Sequence, residues 1–164
     1  MNSSNQASVK SQNRKNSKLH FSLHNFKQVG IFSIILIIID QIVKIEFCHT
    51  NFLFSNCILN TGSAYGMFSQ VEYYTQLVAV LGIMMSIGII YFYTYIIEEF
   101  GVIATSLFLA GIVSNTIDRI LFMGVQDMLS IMGVELFGIF NVADVYLVIA
   151  STIAIYYVII SYAK

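Results

Sequence analysis

Four long apolar runs constrain this chain more than any other feature of its sequence. They cover roughly Val29 to Ile45, Tyr74 to Ile97, Val102 to Phe122 and Val142 to Ala163, each near the ~20 residues needed to cross the hydrocarbon core of a bilayer. Backbone in hydrocarbon has no water to bond, so each run must satisfy its own N–H and C=O groups and is expected to be helical. Composition agrees: 57% of the 164 residues are hydrophobic and 10% charged, too little polar surface to cover a soluble core. The expected fold class is therefore an all-α integral membrane protein with four transmembrane helices. A net charge of −1 offers no basic field for nucleic acid.

The first 28 residues are polar and carry Lys10, Arg14, Lys15, Lys18 and Lys27 with no acid among them. A segment with so little to bury is expected to be a flexible tail, ahead of one membrane domain over residues 29–164. The first run lacks a small-residue cleavage site and ends in charged residues, so an uncleaved span is expected rather than a targeting peptide. The turn Glu98-Glu99-Phe100-Gly101 is short enough to force an antiparallel hairpin between the second and third runs. The longer connections, about Glu46 to Tyr73 and Met123 to Asn141, then lie together at the opposite face as small extracytoplasmic loop structures. Of the eight Lys and Arg, five are in the tail and a sixth is Lys164. The positive-inside rule thus puts both termini in the cytoplasm. Cys48 and Cys57 pair if their loop faces an oxidising compartment; two free thiols are the alternative.

Ionisable groups are costly inside a membrane and are usually paired or functional. Here they gather at the outer boundary. Asp40 and Lys44 share a helix face and are expected to form a structural pair. Asp118 beside Arg119 reads the same way. Asn115 lies one turn before them, Asn141 and Asp144 open the fourth run, and Asp127 and Asn60 fall in the outer loops. Each has a plain structural reading too: Asn141 as a helix N-cap with Asp144 at the positive end of the dipole, Asn60 and Gly62 as a turn, His49 as a loop histidine. Asp127 has no basic residue near it in sequence. Two carboxylates held close share a proton, so one acts as general base toward water and the other as general acid. Spacing does not rank Asp127 with Asp144 above Asp118 with Asp144.

Four segments form a recognisable series: Asp40-Gln41-Ile42-Val43-Lys44; Asn60-Thr61-Gly62-Ser63-Ala64-Tyr65-Gly66; Gly111-Ile112-Val113-Ser114-Asn115-Thr116-Ile117-Asp118-Arg119 with Gly124-Val125-Gln126-Asp127; and Phe140-Asn141-Val142-Ala143-Asp144. From Asp40 to about Ala150 the chain resembles bacterial lipoprotein signal peptidase, or signal peptidase II. The resemblance implies an aspartic endopeptidase that removes the signal peptide of diacylglyceryl-modified precursors just before the lipidated cysteine. It implies Asp127 and Asp144 as the catalytic dyad, with Asn60, Asn115, Arg119 and Asn141 orienting substrate and dyad. No metal or cofactor is expected. The expected partners are a diacylated prolipoprotein and membrane lipid, with the chain acting as a monomer in the bacterial cytoplasmic (inner) membrane. Met128, Val145 and Gln126 depart from the family pattern beside the dyad, and Tyr65 replaces its Phe. The apolar stretch Ser130 to Gly138, with Glu135, is read as an interfacial lid. A proton- or cation-coupled transporter and an inactive paralogue that binds precursors are the competing readings. The first is disfavoured because no charge sits near the middle of any run.

Overall fold

The computed structural model describes residues 3–49, 57–130 and 138–163, with side chains from Leu23 onward. Helices α1 (Ser3–Cys48), α2 (Tyr74–Tyr91), α3 (Tyr93–Phe122) and α4 (Val142–Tyr162) form a bundle. The strands β1 (Ile58–Asn60), β2 (Val125–Asp127), β3 (Leu129–Ser130) and β4 (Ile139–Phe140), with a short 3-10 turn at Ala64–Gly66, lie in the connections between them. Helices α2, α3 and α4 are long and apolar enough to cross a membrane. α1 is a fourth helix and contains the run Val29 to Ile45. The heart of the expected lid, residues 131–137, and Lys164 lie outside the described residues.

Burial is inverted relative to a water-soluble protein. Ile31, Ile35, Leu77, Met84 and Ile155 are exposed, while Asp40, Lys44, Asp118 and Asn141 are at most 1% exposed. Apolar side chains outside and satisfied polar groups inside suit a lipid solvent.

Side-chain contacts set the helix directions. Ser33 Oγ donates to Ser106 O at 3.2 Å and Gln41 Nε2 to Ser114 Oγ at 3.0 Å, a constant offset of 73 residues, so α1 and α3 run parallel. Ala143 N–H donates to Asp40 Oδ1 at 2.8 Å and Tyr146 Oη to Leu36 O at 3.4 Å, so α4 runs against α1. A Cβ on Gly111 of α3 would lie 2.7 Å from Leu147 Cγ and 2.8 Å from Ala143 O of α4. Only glycine permits that approach, and it brings Asn115 level with Asp144 one turn farther along.

The break between the second and third apolar runs falls inside α3, within the expected short turn Glu98 to Gly101. Phe92 keeps the helical ladder, donating to Gly88 O at 2.9 Å and accepting from Ile96 N–H at 3.0 Å. The break comes at Gly101, with φ 79° and ψ 169°, a backbone shape that favours glycine. The backbone of the N-terminal segment is helix from Ser3 onward. It contains neither Gly nor Pro and continues a helix that the apolar run has already nucleated, so extension needs only propagation.

At the end of the bundle where α1 and α3 finish and α4 begins, β1 pairs antiparallel with β2, Ile58 opposite Asp127 and Asn60 opposite Val125. β3 pairs with β4, Leu129 opposite Phe140, and Met128 N–H extends this pairing to Phe140 O at 3.0 Å. Cys48, the last residue of α1, and Cys57, just before β1, are joined in a disulfide.

Candidate active site

The site is built on the start of α4. Asn141 is its N-cap: Oδ1 accepts Asp144 N–H at 2.9 Å, and Asp144 Oδ2 accepts Asn141 N–H at 3.2 Å, a reciprocal capping box. Such a box satisfies two N–H groups the helix start would leave bare. It also fixes the Asp144 carboxylate at the first turn, near the positive end of the helix dipole. The N-cap role read from sequence and a place in the site belong to the same two residues.

Three asparagines then do one thing in three places. Each uses its amide oxygen on the scaffold and presents its NH₂ to a carboxylate or to the next asparagine. Asn60 Oδ1 accepts Gly62 N–H at 3.0 Å, and its Nδ2 donates to Asp127 Oδ2 at 3.1 Å and to Ser63 O at 3.1 Å. Asn141 Nδ2 donates to Asp127 Oδ1 at 2.7 Å and to Asn115 Oδ1 at 3.1 Å. Asn115 Oδ1 also accepts from Lys44 Nζ at 3.4 Å, and its Nδ2 donates to Asp144 Oδ1 at 2.9 Å. Reversing any of these amides would set donor against donor, at Gly62 N–H, Asp144 N–H or the Lys44 ammonium. The network therefore assigns the orientation of all three.

All four oxygens of Asp127 and Asp144 thus accept one N–H each. A carboxylate oxygen has room for a second partner, which leaves each group able to hold a proton or a water. Both line one cleft of about 490 Å³, together with Asn60, Asn115 and Arg119. Strand alternation explains how Asp127 reaches it. Val125 and Asp127 face the cleft, while Gln126 between them turns its Nε2 to His49 Nε2 at 3.0 Å. The unusual Gln126 therefore acts behind the strand.

Asp118 is excluded from this cleft by its own bonding. Its carboxylate accepts from Lys44 Nζ at 2.9 Å, from Gln41 Nε2 at 3.0 Å and from Gln126 N–H at 3.1 Å, with no exposure. The expected pairing with Arg119 is corrected here. Adjacent helical residues point about 100° apart, and Asp118 turns inward to α1 while Arg119 turns to the cleft. The expected pair Asp40 and Lys44 is present at 2.7 Å. Asp40 does more than pair: it accepts from Ala143 N–H and from Ser114 Oγ, holding α4's first turn against α1 and α3.

Arg119 donates Nη1 to Asn115 O at 3.2 Å and Nη2 to Gly62 O at 3.5 Å. Its Nε is buried and, among the described residues, has no partner. Arg119 thus lines the cleft with one buried donor left unmatched. Among the described residues no three His, Cys, Asp or Glu side chains converge as a metal-ligand set.

Burial pushes the Asp127 carboxyl up from 3.8 to about 6. The Asp144 charge adds to the rise, and the hydrogen bonds from Asn60 and Asn141 and the Lys44 charge pull it back. The sign follows by linkage: Asp127 favours the folded state below pH 3.8, and that contribution is lost as pH rises through about 6. At neutral pH this group costs stability, as functional carboxylates often do. Asn60→Ala removes a donor that favours the ionised form, so Asp127 should titrate at higher pH in the variant. Infrared difference titration of the carboxyl band checks this; a shift to lower pH would contradict the assigned network.

The sequence model of the signal peptidase (SPase) II family matches residues 32–160. Two solved structures, each described as a bacterial membrane enzyme determined by the in meso method, share the fold. The one at 2.3 Å resolution is 27% identical, with a TM-score of 0.67, covering 80% of this chain and 87% of its own. The one at 1.9 Å is 26% identical, with a TM-score of 0.65, covering 83% and 92%. No curated protein matches the chain.

Proposed function

The chain belongs to the signal peptidase II family, a family of membrane peptidases, and on that premise we propose that it cuts diacylglyceryl-modified lipoprotein precursors just before the lipidated cysteine, using Asp127 and Asp144. One observation carries the reading: two carboxylates, each held by oriented N–H donors and, among the described residues, without a direct ammonium or guanidinium partner, open on a single cleft. The pair shares a proton. The ionised member takes a proton from water, whose oxygen attacks the carbonyl carbon. The protonated member donates to the departing amide nitrogen, and the shared proton is restored. Arg119, on the cleft wall, supplies positive charge toward the carbonyl oxygen as negative charge develops there.

Membrane placement belongs to the same proposal. α1 crosses with the other three helices, both termini are cytoplasmic, and the cleft opens at the extracytoplasmic boundary of the inner membrane. Two independent features support that direction: five of eight basic residues precede Val29, and a disulfide at the cleft end of α1 suits an oxidising compartment. A scissile bond carried beside acyl chains meets the dyad at that depth without leaving lipid, where each CH₂ drawn into water costs ~0.8 kcal/mol. The apolar cleft residues Phe140, Leu147 and Val148 face such a substrate.

The test compares one precursor before and after diacylglyceryl transfer, in the same detergent and at the same concentration. The unmodified form should be cut roughly 10²-fold more slowly or not at all, because binding energy from the acyl chains positions the amide. Equal rates would point to a general membrane aspartic peptidase.

A further inference from the structure

The disulfide joins the two structural arms that hold the dyad. On one side, Cys48 ends α1, the helix whose Lys44 bonds Asn115, which in turn donates to Asp144. On the other, Cys57 directly precedes β1, whose Asn60 donates to Asp127. Among the described residues, β1 is otherwise held by its ladder to β2, by the turn Asn60 closes on Gly62 and Ser63, and by Leu59 against Gly124. It is three residues long, pairs with β2 alone in its sheet, and leaves Ile58 and Leu59 each nearly half exposed. His49, next to Cys48, meets Gln126 on β2. The crosslink therefore closes a ring that runs from the end of α1 through Cys57, β1 and β2 and back to α1.

We propose that the Cys48–Cys57 bond is a positioning crosslink for the reaction: it fixes β1 against α1 so that Asn60 stays on Asp127, and opening it slows cleavage. The inference rests on the reading of Asp127 as a dyad member. Without the bond, β1 is a short, half-exposed strand beside a cleft, of the kind that opens locally at small cost. Asn60 then leaves Asp127, whose carboxyl loses a donor that favours its ionised form. Positional errors of about 1 Å at a reacting group cost up to about 10²-fold in rate.

The experiment uses the folded, oxidised full chain in detergent and a diacylated precursor. A small dithiol opens the bond: two thiols form on the protein, and the reagent, giving up two electrons and two protons, closes to its own disulfide. Alkylation followed by mass measurement verifies both thiols. Reduction should lower kcat by about tenfold or more, with the alkaline limb of the pH profile moving upward. Cys48→Ser/Cys57→Ser should match the reduced protein and ignore the dithiol. On an Asn60→Ala background, reduction should change the rate by less than about twofold, because the two changes remove the same contact. Full reduction with unchanged rate and pH profile would overturn the proposal, as would an undiminished further loss in Asn60→Ala. Amide hydrogen exchange over Ile58–Asn60 reads the same loosening without any substrate. Exchange that does not rise on reduction sinks the crosslink proposal, whereas raised exchange in a protein that never cleaves would sink the peptidase reading instead.

Discussion

Asp127→Asn and Asp144→Asn each lower cleavage of a diacylated precursor by about 10²- to 10⁴-fold, the range for a positioned acid or base. The amide keeps the size of the carboxyl and cannot exchange the shared proton. The two variants differ in stability in a way the hydrogen bonds specify. Both oxygens of Asp127 accept from asparagine NH₂ groups, so an amide at 127 brings its own NH₂ against a donor, a conflict worth about 1–3 kcal/mol. At Asp144 one of the two donors is the N-cap N–H of Asn141, so the same conflict also loosens the start of α4. Activity should therefore be compared between samples matched for folded protein. Substantial turnover by folded Asp127→Asn would remove that residue from the dyad.

Lys44→Met should have the largest effect on stability. It leaves Asp40 and Asp118, both without exposure, facing a thioether where an ammonium sat at 2.7 and 2.9 Å. Breaking a buried ion pair by removing one partner costs about 3–5 kcal/mol, and here one cation serves two acids. Asp40→Asn should cost less, since Lys44 keeps Asp118 and an amide oxygen can still accept from Ala143 N–H. Unfolding titrations in mixed micelles measure both. A Lys44→Met variant within about 1 kcal/mol of the parent would show that the triad contributes little to folding.

Much of the architecture was legible because a bilayer admits few solutions. The long apolar runs, the Gly101 turn and the gathering of polar groups at one end all follow from hydropathy and charge. The family resemblance implies which aspartates to pair, which spacing alone does not. What separates Asp118 from Asp127 is tertiary: Lys44 arrives from α1, and nothing local announces it. Arg119, the neighbour in sequence, suggested the wrong partner for Asp118 because it ignored the turn of the helix. β1 to β4 are not legible in the sequence because strands of two or three residues are too short to show a period of two. The bond between Cys48 and Cys57 depends on how α1 ends against β1, which a nine-residue separation permits without requiring. The asparagines were visible as residues, but their orientation was not: it comes from Gly62 N–H, Asp144 N–H and Lys44 holding the oxygens.

The central claim is that this chain hydrolyses one amide of a lipidated precursor, and the masses of the products test it most directly. The purified protein is incubated with a diacylated precursor and both fragments are weighed. The account predicts two products whose masses sum to the precursor plus one water, the larger beginning at the diacylglyceryl-modified cysteine. An intact precursor after incubation with folded, oxidised protein, or a cut at any other bond, would contradict it.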